Sequence, residues 1–151
     1  MTPFNLKIIT PNGVFFPNDD NQANQANKAN KAEQVLNVIV RTTVGDKGIL
    51  ARHEPYVAAL PIGKMRVKDI DGNFRTAAIS NGTVRVEENG DTTILVQSCE
   101  WSDKIDVSRA ETAKEKAEER LSDKNVSEID YDIAEFKLKR ALNRINVSKN
   151  N

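Results

Sequence analysis

The stretch EWSDKIDVSRAETAKEK, residues 100–116, holds Glu100, Asp106 and Arg109 close together, and near the other end of the chain Arg140 and Arg144 lie four apart. On a helix, that spacing projects both guanidinium groups from one side. Arginine supplies a planar, permanently charged fork of donors suited to phosphate oxygens, while Asp106 or Glu100 can accept from an exocyclic amine or a ribose hydroxyl. If two antiparallel helices carry these residues, the start of the first lies near the end of the second, and Arg109, Arg140 and Arg144 can converge on one anion beside Asp106. The same residues have a plainer reading. Asp106 caps a helix and complements its dipole, Arg109 pairs with Glu100 or Asp106, and the remaining charge is a solvated face.

Other chemistry is sparsely represented. His53 is the sole histidine, and it lies in ARHEP with no Gly-x-Ser-x-Gly context to supply an activated nucleophile. The single cysteine, Cys99, cannot form an internal disulfide, and one His with one Cys gives no metal-ligand cluster of usual spacing. Walker A and GxGxxG runs are absent. The expectation is a chain that is not an enzyme by itself, with no catalytic residues and no metal. Lys+Arg and Asp+Glu are equal at 22 each, so no overall field draws the chain to nucleic acid or an anionic membrane. The opening MTPFNLKIIT lacks the pattern of a secretory signal, and no run reaches the ~18 apolar residues that span a bilayer. A reducing, cytoplasmic setting follows, with any membrane association through a partner rather than by direct insertion.

The elements that must position these groups change character along the chain. Phe4, Leu6 and Ile8 alternate with polar residues, as in a strand with one wet face, and Pro11-Asn12-Gly13 turns the chain so that residues 14–16 return beside it. Between Pro17 and Gln34 the tract NQANQANKANKA offers only Ala as an apolar residue, and residues 18–34 read as a low-complexity loop insertion without a packed core. VLNVIVRTT reads as a strand, residues 45–53 as a loop, and two Asx-Gly hairpins follow around Asp71-Gly72-Asn73 and Asn89-Gly90. Short strands at this spacing predict an antiparallel sandwich or barrel over residues 1–98, in a β domain bounded at residue 100.

After Trp101 the period becomes helical. Asp106 or Ser108 caps the first helix, Ser108 through a capping box with Glu111, and its buried stripe is Ala110, Ala113, Ala117 and Leu121. SDKNVSEID, residues 122–130, makes the turn, and the second helix faces inward with Ala134, Leu138, Ala141, Leu142 and Ile145. The prediction for residues 101–151 is a helical hairpin. Burying a methyl is worth only about 0.8 kcal/mol, so an alanine interface holds such a hairpin weakly.

Taken together, GDKGILARHEPYVAAL, the Asn-Gly hairpin followed by ILVQ, IDVSRAETAKEKAEERL and the closing RALNRI resemble the epsilon subunit of bacterial F-type ATP synthases. The resemblance covers nearly the whole chain outside residues 18–34. It implies an all-β sandwich of about ten strands followed by an α-helical hairpin. It also implies a non-catalytic subunit at the foot of the central stalk, bound to the gamma subunit and to the ring of c subunits, peripheral to the bacterial cell membrane on its cytoplasmic side. By the same resemblance Asp46 and His53 face the c ring. The resemblance further implies that the hairpin is a switch that, when extended, presents Lys137, Lys139, Arg140 and Arg144 to the alpha/beta catalytic head and blocks ATP hydrolysis.

Some members of this family bind ATP as a regulatory ligand through Ile/Leu-Asp-x-x-Arg-Ala, and Ile105, Asp106, Arg109 and Ala110 match every fixed position of that motif. Glu100, Arg140 and Arg144 stand where binding members place an acid and two arginines. Lys116 stands where they have an arginine, which keeps the charge and loses the planar fork. No cofactor is required on this reading. Two other classes remain distinguishable: a free nucleotide-sensing or scaffold module of the same shape, which would purify without gamma, and a hydrolase using His53, which would turn over substrate as the isolated chain.

Overall fold

The computed structural model describes residues 1–17 and 33–149. The polar tract from residue 18 to residue 32 lies outside the described residues, so the loop insertion expected there is described only at its end.

Eleven strands precede two helices among the described residues: β1 Phe4–Thr10, β2 Gly13–Phe16, β3 Glu33–Val35, β4 Asn37–Thr42, β5 Gly45–Ile49, β6 Tyr56–Leu60, β7 Gly63–Lys68, β8 Phe74–Ile79, β9 Gly82–Val86, β10 Thr92–Val96, β11 Cys99–Trp101, α1 Val107–Ser122 and α2 Glu128–Lys149. One sheet runs β2-β1-β10-β9-β6, with β3 also paired to β1, and the other runs β11-β8-β7-β4-β5. All pairs are antiparallel except β1 with β10, where Leu6 stands beside Thr92 and Ile8 beside Ile94. The expected sandwich followed by a helical hairpin is the fold.

Period-two patterning decides which side of each strand goes in. Leu6 and Ile8 of β1, Val38 and Val40 of β4, Met65 of β7, Val84 of β9 and Ile94 of β10 are fully buried between the sheets. Their neighbours Lys7, Arg66 and Arg85 face outward. Trp101 closes one end of this core, with ring centroids 5.4 Å from Phe15 and 6.0 Å from Phe16. Cys99 is buried on the same short strand, and burial pushes its thiol well above the ordinary range, which leaves it protonated and unreactive. The two Asx-Gly hairpins form as expected, Gly72 and Gly90 both adopting the positive φ such turns require.

The helices pack on the outer face of the second sheet. On β8, Ala77 and Ile79 point into the sandwich, yet Ala78 between them is also buried, because Ile105 and Val147 cover it from outside as a small second core. Asn143 anchors α2 there, its Nδ2 donating to the carbonyls of Gly63 at 2.9 Å and Ile79 at 3.4 Å.

Five local expectations change. Glu33 and Gln34, read as part of the polar insertion, are the first residues of β3 and pair with Leu6 and Asn5, because β1 offers them an open edge. Residues 45–49, read as loop, form β5 against β4, with Thr42 paired to Gly45. Ser108 is inside α1 and builds no capping box; the N-cap is Asp106, whose Oδ1 accepts from the Arg109 N–H at 3.1 Å. The turn expected over residues 122–130 is shorter, since Ser127 caps α2 through Oγ to the Asp130 N–H at 3.1 Å and so brings residues 128–130 into the helix. Leu142, placed on the inward side by spacing, is exposed, while Val147 is fully buried.

Candidate functional site

Where α1 and α2 face each other, Ala110, Ala117, Ala134 and Ala141 are buried. Methyl groups let the helix backbones approach but do not fill the space beside them, and a groove of about 620 Å³ opens between the helices. Its floor is Ala113, Ala117, Ala134 and Ala141, with Ile133 on one wall, and its rim is cationic: Lys116 and Arg120 from α1, Lys137, Arg140 and Arg144 from α2, with Asp130 the one acid. The i, i+3, i+4 and i+7 rows explain why these residues share a wall.

Two of the five cations are already paired. Arg120 Nη2 lies 3.1 Å from Asp130 Oδ2, tying the helices near their turn. Arg144 Nη2 donates to Glu100 Oε2 at 3.1 Å. Its Nε sits 2.8 Å from Oε1 but off the N–H direction, so the pair is one aligned hydrogen bond plus a close charge contact. This pair joins α2 to β11, with both side chains mostly shielded, at 18% and 29% exposure. Lys116, Lys137 and Arg140 make no ion pair with any described residue. Three uncompensated cations over an apolar floor suit a ligand with an anionic chain and an apolar or aromatic body.

The seam beside the groove is ordered by its own contacts. Ile105 is buried against Ala78 and Val147, Asp106 caps α1, and Ala110 is fully buried in the helix interface. Arg109 is exposed, does not line the groove, and makes no ion pair with a described residue.

A second polar surface lies on the sandwich. Arg41 of β4 and Asp46 of β5 stand opposite each other and form a direct ion pair. The hydrogen bond from Arg41, aided by its charge, holds the Asp46 carboxyl below the usual carboxylate range. His53 Nδ1 is 2.7 Å from the Glu54 carbonyl oxygen. That oxygen can only accept, so Nδ1 carries the proton and a neutral ring leaves Nε2 as an acceptor. The ring packs edge-on against Tyr56, and Arg52 just before it holds a left-handed φ of 62°, a conformation uncommon outside glycine and concentrated at functional loops. We expect the Asp46 carboxylate to titrate below about 3.9, its unperturbed value, and Arg41→Gln to return the midpoint toward it, as read by carboxyl carbon shifts. Since the folded value is the lower one, the pair contributes above the unfolded midpoint and fades as pH falls through the folded one. An unshifted midpoint would show that the pair is not formed in solution.

Two family models match this chain: the beta-sandwich domain of the ATP synthase delta/epsilon chain over residues 25–102, and its long alpha-helix domain over residues 103–149. Among curated relatives, the ATP synthase epsilon chain of Ruminococcus albus is 43% identical over 148 residues, covering 98% of each chain. The epsilon chain of Bacillus pumilus is 41% identical over the same length, again 98% of both. The chain belongs to the epsilon-chain family of F-type ATP synthases. Membership makes it a non-catalytic subunit of the synthase. A chain in the OSCP/F1/c-ring structure of the Euglena gracilis mitochondrial ATP synthase superimposes with a TM-score of 0.73, covering 92% of this chain and 77% of that one; at 22% identity this is a likeness of fold.

In this epsilon-family chain, the structure brings only some of the expected site residues together. Lys116, Arg140 and Arg144 share the groove, Glu100 reaches it through Arg144, and Ile105, Asp106, Arg109 and Ala110 sit at the seam outside its lining. Of the expected inhibitory contacts, Lys137, Arg140 and Arg144 line the groove, whereas Lys139 pairs with Glu135 one turn away at 3.3 Å. Sequence reasoning missed Arg120, Asp130 and Ile133 as lining residues, although their spacing on the two helices was a usable signal. It also missed Asn143, for which none existed, since an amide aimed at two strand carbonyls is a tertiary contact.

Proposed function

We propose that this chain is the central-stalk subunit that couples the catalytic head of the synthase to its ion-translocating c ring, and that its helices restrain ATP hydrolysis under the control of bound ATP. The observation that carries the ATP reading is the interhelical groove, with Lys116, Lys137 and Arg140 in no ion pair with a described residue above an alanine floor and Arg144 held by Glu100. ATP bound there interacts with α1 and α2 only while they lie together, so it favours the folded hairpin by its differential affinity for that state. The interface it would reinforce is slight: the four buried alanine methyls are worth about 3 kcal/mol at the CH₂ rate, before ordering entropy is set against them.

The restraining role rests on what α2 leaves uncovered. Ile129, Ile133 and Phe136, at i, i+4 and i+7, are 73%, 48% and 41% exposed. An apolar stripe bordered by Lys137 and Arg140 is the pattern of a helix laid into an acidic groove of a partner, which suits the alpha/beta head once the helices extend. Gamma and the c ring are the partners proposed for the sandwich, with Asp46 and His53 on the side toward the c ring, and the site of action is the cytoplasmic face of the bacterial membrane. None of the described helices is long and apolar enough to cross that membrane.

Calorimetric titration of the purified chain with ATP tests the reading, with ADP and GTP as controls. Saturable heat selective for ATP is the expected result. No heat up to millimolar ATP would remove the nucleotide from the proposal and leave the groove as a packing defect between two small-residue helices.

A further inference from the structure

Outside the interhelical groove, a second concentration of unpaired positive charge lies where the outer face of the second sheet meets the 3-10 turn Ser102–Lys104, which links β11 to α1. A trough of about 510 Å³ is lined there by Lys64 and Arg66 of β7, Arg75 and Thr76 of β8, and Ser102 and Asp103 of the turn. Lys64, Arg66 and Arg75 form no ion pair with any described residue, although the charge of Lys64 also acts on the Asp46 carboxylate. The chain as a whole is neutral, so three cations against Asp103 are a local segregation of charge.

Both guanidinium groups are held in place by aromatic rings. Arg66 lies over Phe74 at 4.3 Å and Arg75 over Trp101 at 3.9 Å. Stacking uses the flat face of the guanidinium and leaves its in-plane donors available, at a reduced entropy cost for binding. We propose that this trough binds an oligophosphate anion, at a site separate from the interhelical groove and independent of that reading. Three cations and the Thr76 hydroxyl offer more donors than the two oxygens of a carboxylate can accept. Asp103 opposes any anion, and a ligand carrying several negative charges is the class for which the balance stays attractive. Bound between β7, β8 and the turn, it joins the sheet to the segment from which α1 departs, and so bears on where the hairpin leaves the sandwich.

Trp101 is the only tryptophan and touches the proposed ligand residue Arg75, so its emission reports on the site. Tripolyphosphate titrated into the full chain at constant ionic strength is expected to change that emission saturably. Arg66→Gln, which leaves the Arg75–Trp101 stack intact, is expected to weaken the response about tenfold, the effect of one charge-assisted hydrogen bond. Lys64→Gln, which disturbs neither stack, should weaken it in the same direction, while Arg140→Gln in the interhelical groove should leave it unchanged. The proposal is overturned if sodium chloride at matched ionic strength reproduces the change, or if no saturation occurs up to millimolar tripolyphosphate. It is also overturned if Arg140→Gln abolishes the response while Arg66→Gln and Lys64→Gln do not, or if an acidic peptide elicits it and tripolyphosphate fails to.

Discussion

Gly82→Ala is expected to unfold the sandwich. A Cβ at this position of β9 would lie 1.9 Å from the Leu95 carbonyl oxygen and 2.7 Å from the Val96 Cα, both backbone atoms of β10. No side-chain rotation relieves a clash of that kind. β9 is an interior strand, paired to β10 on one side and β6 on the other, with Gly82 opposite both Val96 and Leu60. Moving it costs ladder hydrogen bonds and packing around the fully buried Val84. We expect a loss of about 4 kcal/mol or more, at the severe end of single substitutions and a large share of the ~5–15 kcal/mol that keeps a domain folded. Urea unfolding followed by Trp101 emission measures it. Gly48→Ala is the control, since its Cβ would meet only Asn37 Oδ1 at 3.9 Å; a Gly82→Ala midpoint no lower than that of Gly48→Ala would contradict the geometry.

The second large effect concerns the groove. Lys116→Ala combined with Arg140→Ala is expected to weaken ATP binding roughly a hundredfold. Each removes one charge-assisted contact, taken at about 1.5 kcal/mol, the low end of its range, because both side chains are exposed and screened. Neither residue is in the core or in an ion pair with a described residue, so the unfolding free energy should stay within about 0.5 kcal/mol of the parent chain. An unchanged ATP affinity, with the fold intact, would move the ligand away from this groove. Arg144→Ala is a poorer probe, because it also leaves Glu100 without its partner and frees α2 from β11.

Much of the sandwich was legible from local pattern. Leu6 and Ile8, or Val84 and Val86, alternate with polar residues, and a strand has period two, so those positions turn inward whatever their neighbours are. The Asx-Gly turns were legible for a similar reason, since few residues adopt positive φ. β3 and β5 were not: Glu33-Gln34 and Gly45–Ile49 carry little β propensity and are strands because β1 and β4 present open edges to them. At the helix starts, Asp106 and Ser108 were equally able to cap, and the choice fell to Asp106 when Ile105 was buried against Ala78 and Val147.

Of the candidate site, the sequence by itself determined which charges exist and which rows they share, because Lys137, Arg140 and Arg144 must lie along one side of any helix that contains them. It determined the family as well, through IDVSRA and GDKGILARHEP. Only the tertiary structure decided which cations are spent and which are available. Glu100 lies 44 residues from Arg144 in sequence and meets it because α2 docks on the second sheet through Asn143. Arg109, inside the recognised motif, ended outside the groove, while Lys137 and Arg120 became part of its rim. Ion pairing depends on distances between elements packed far from one another in the chain, and no periodicity within one helix encodes them.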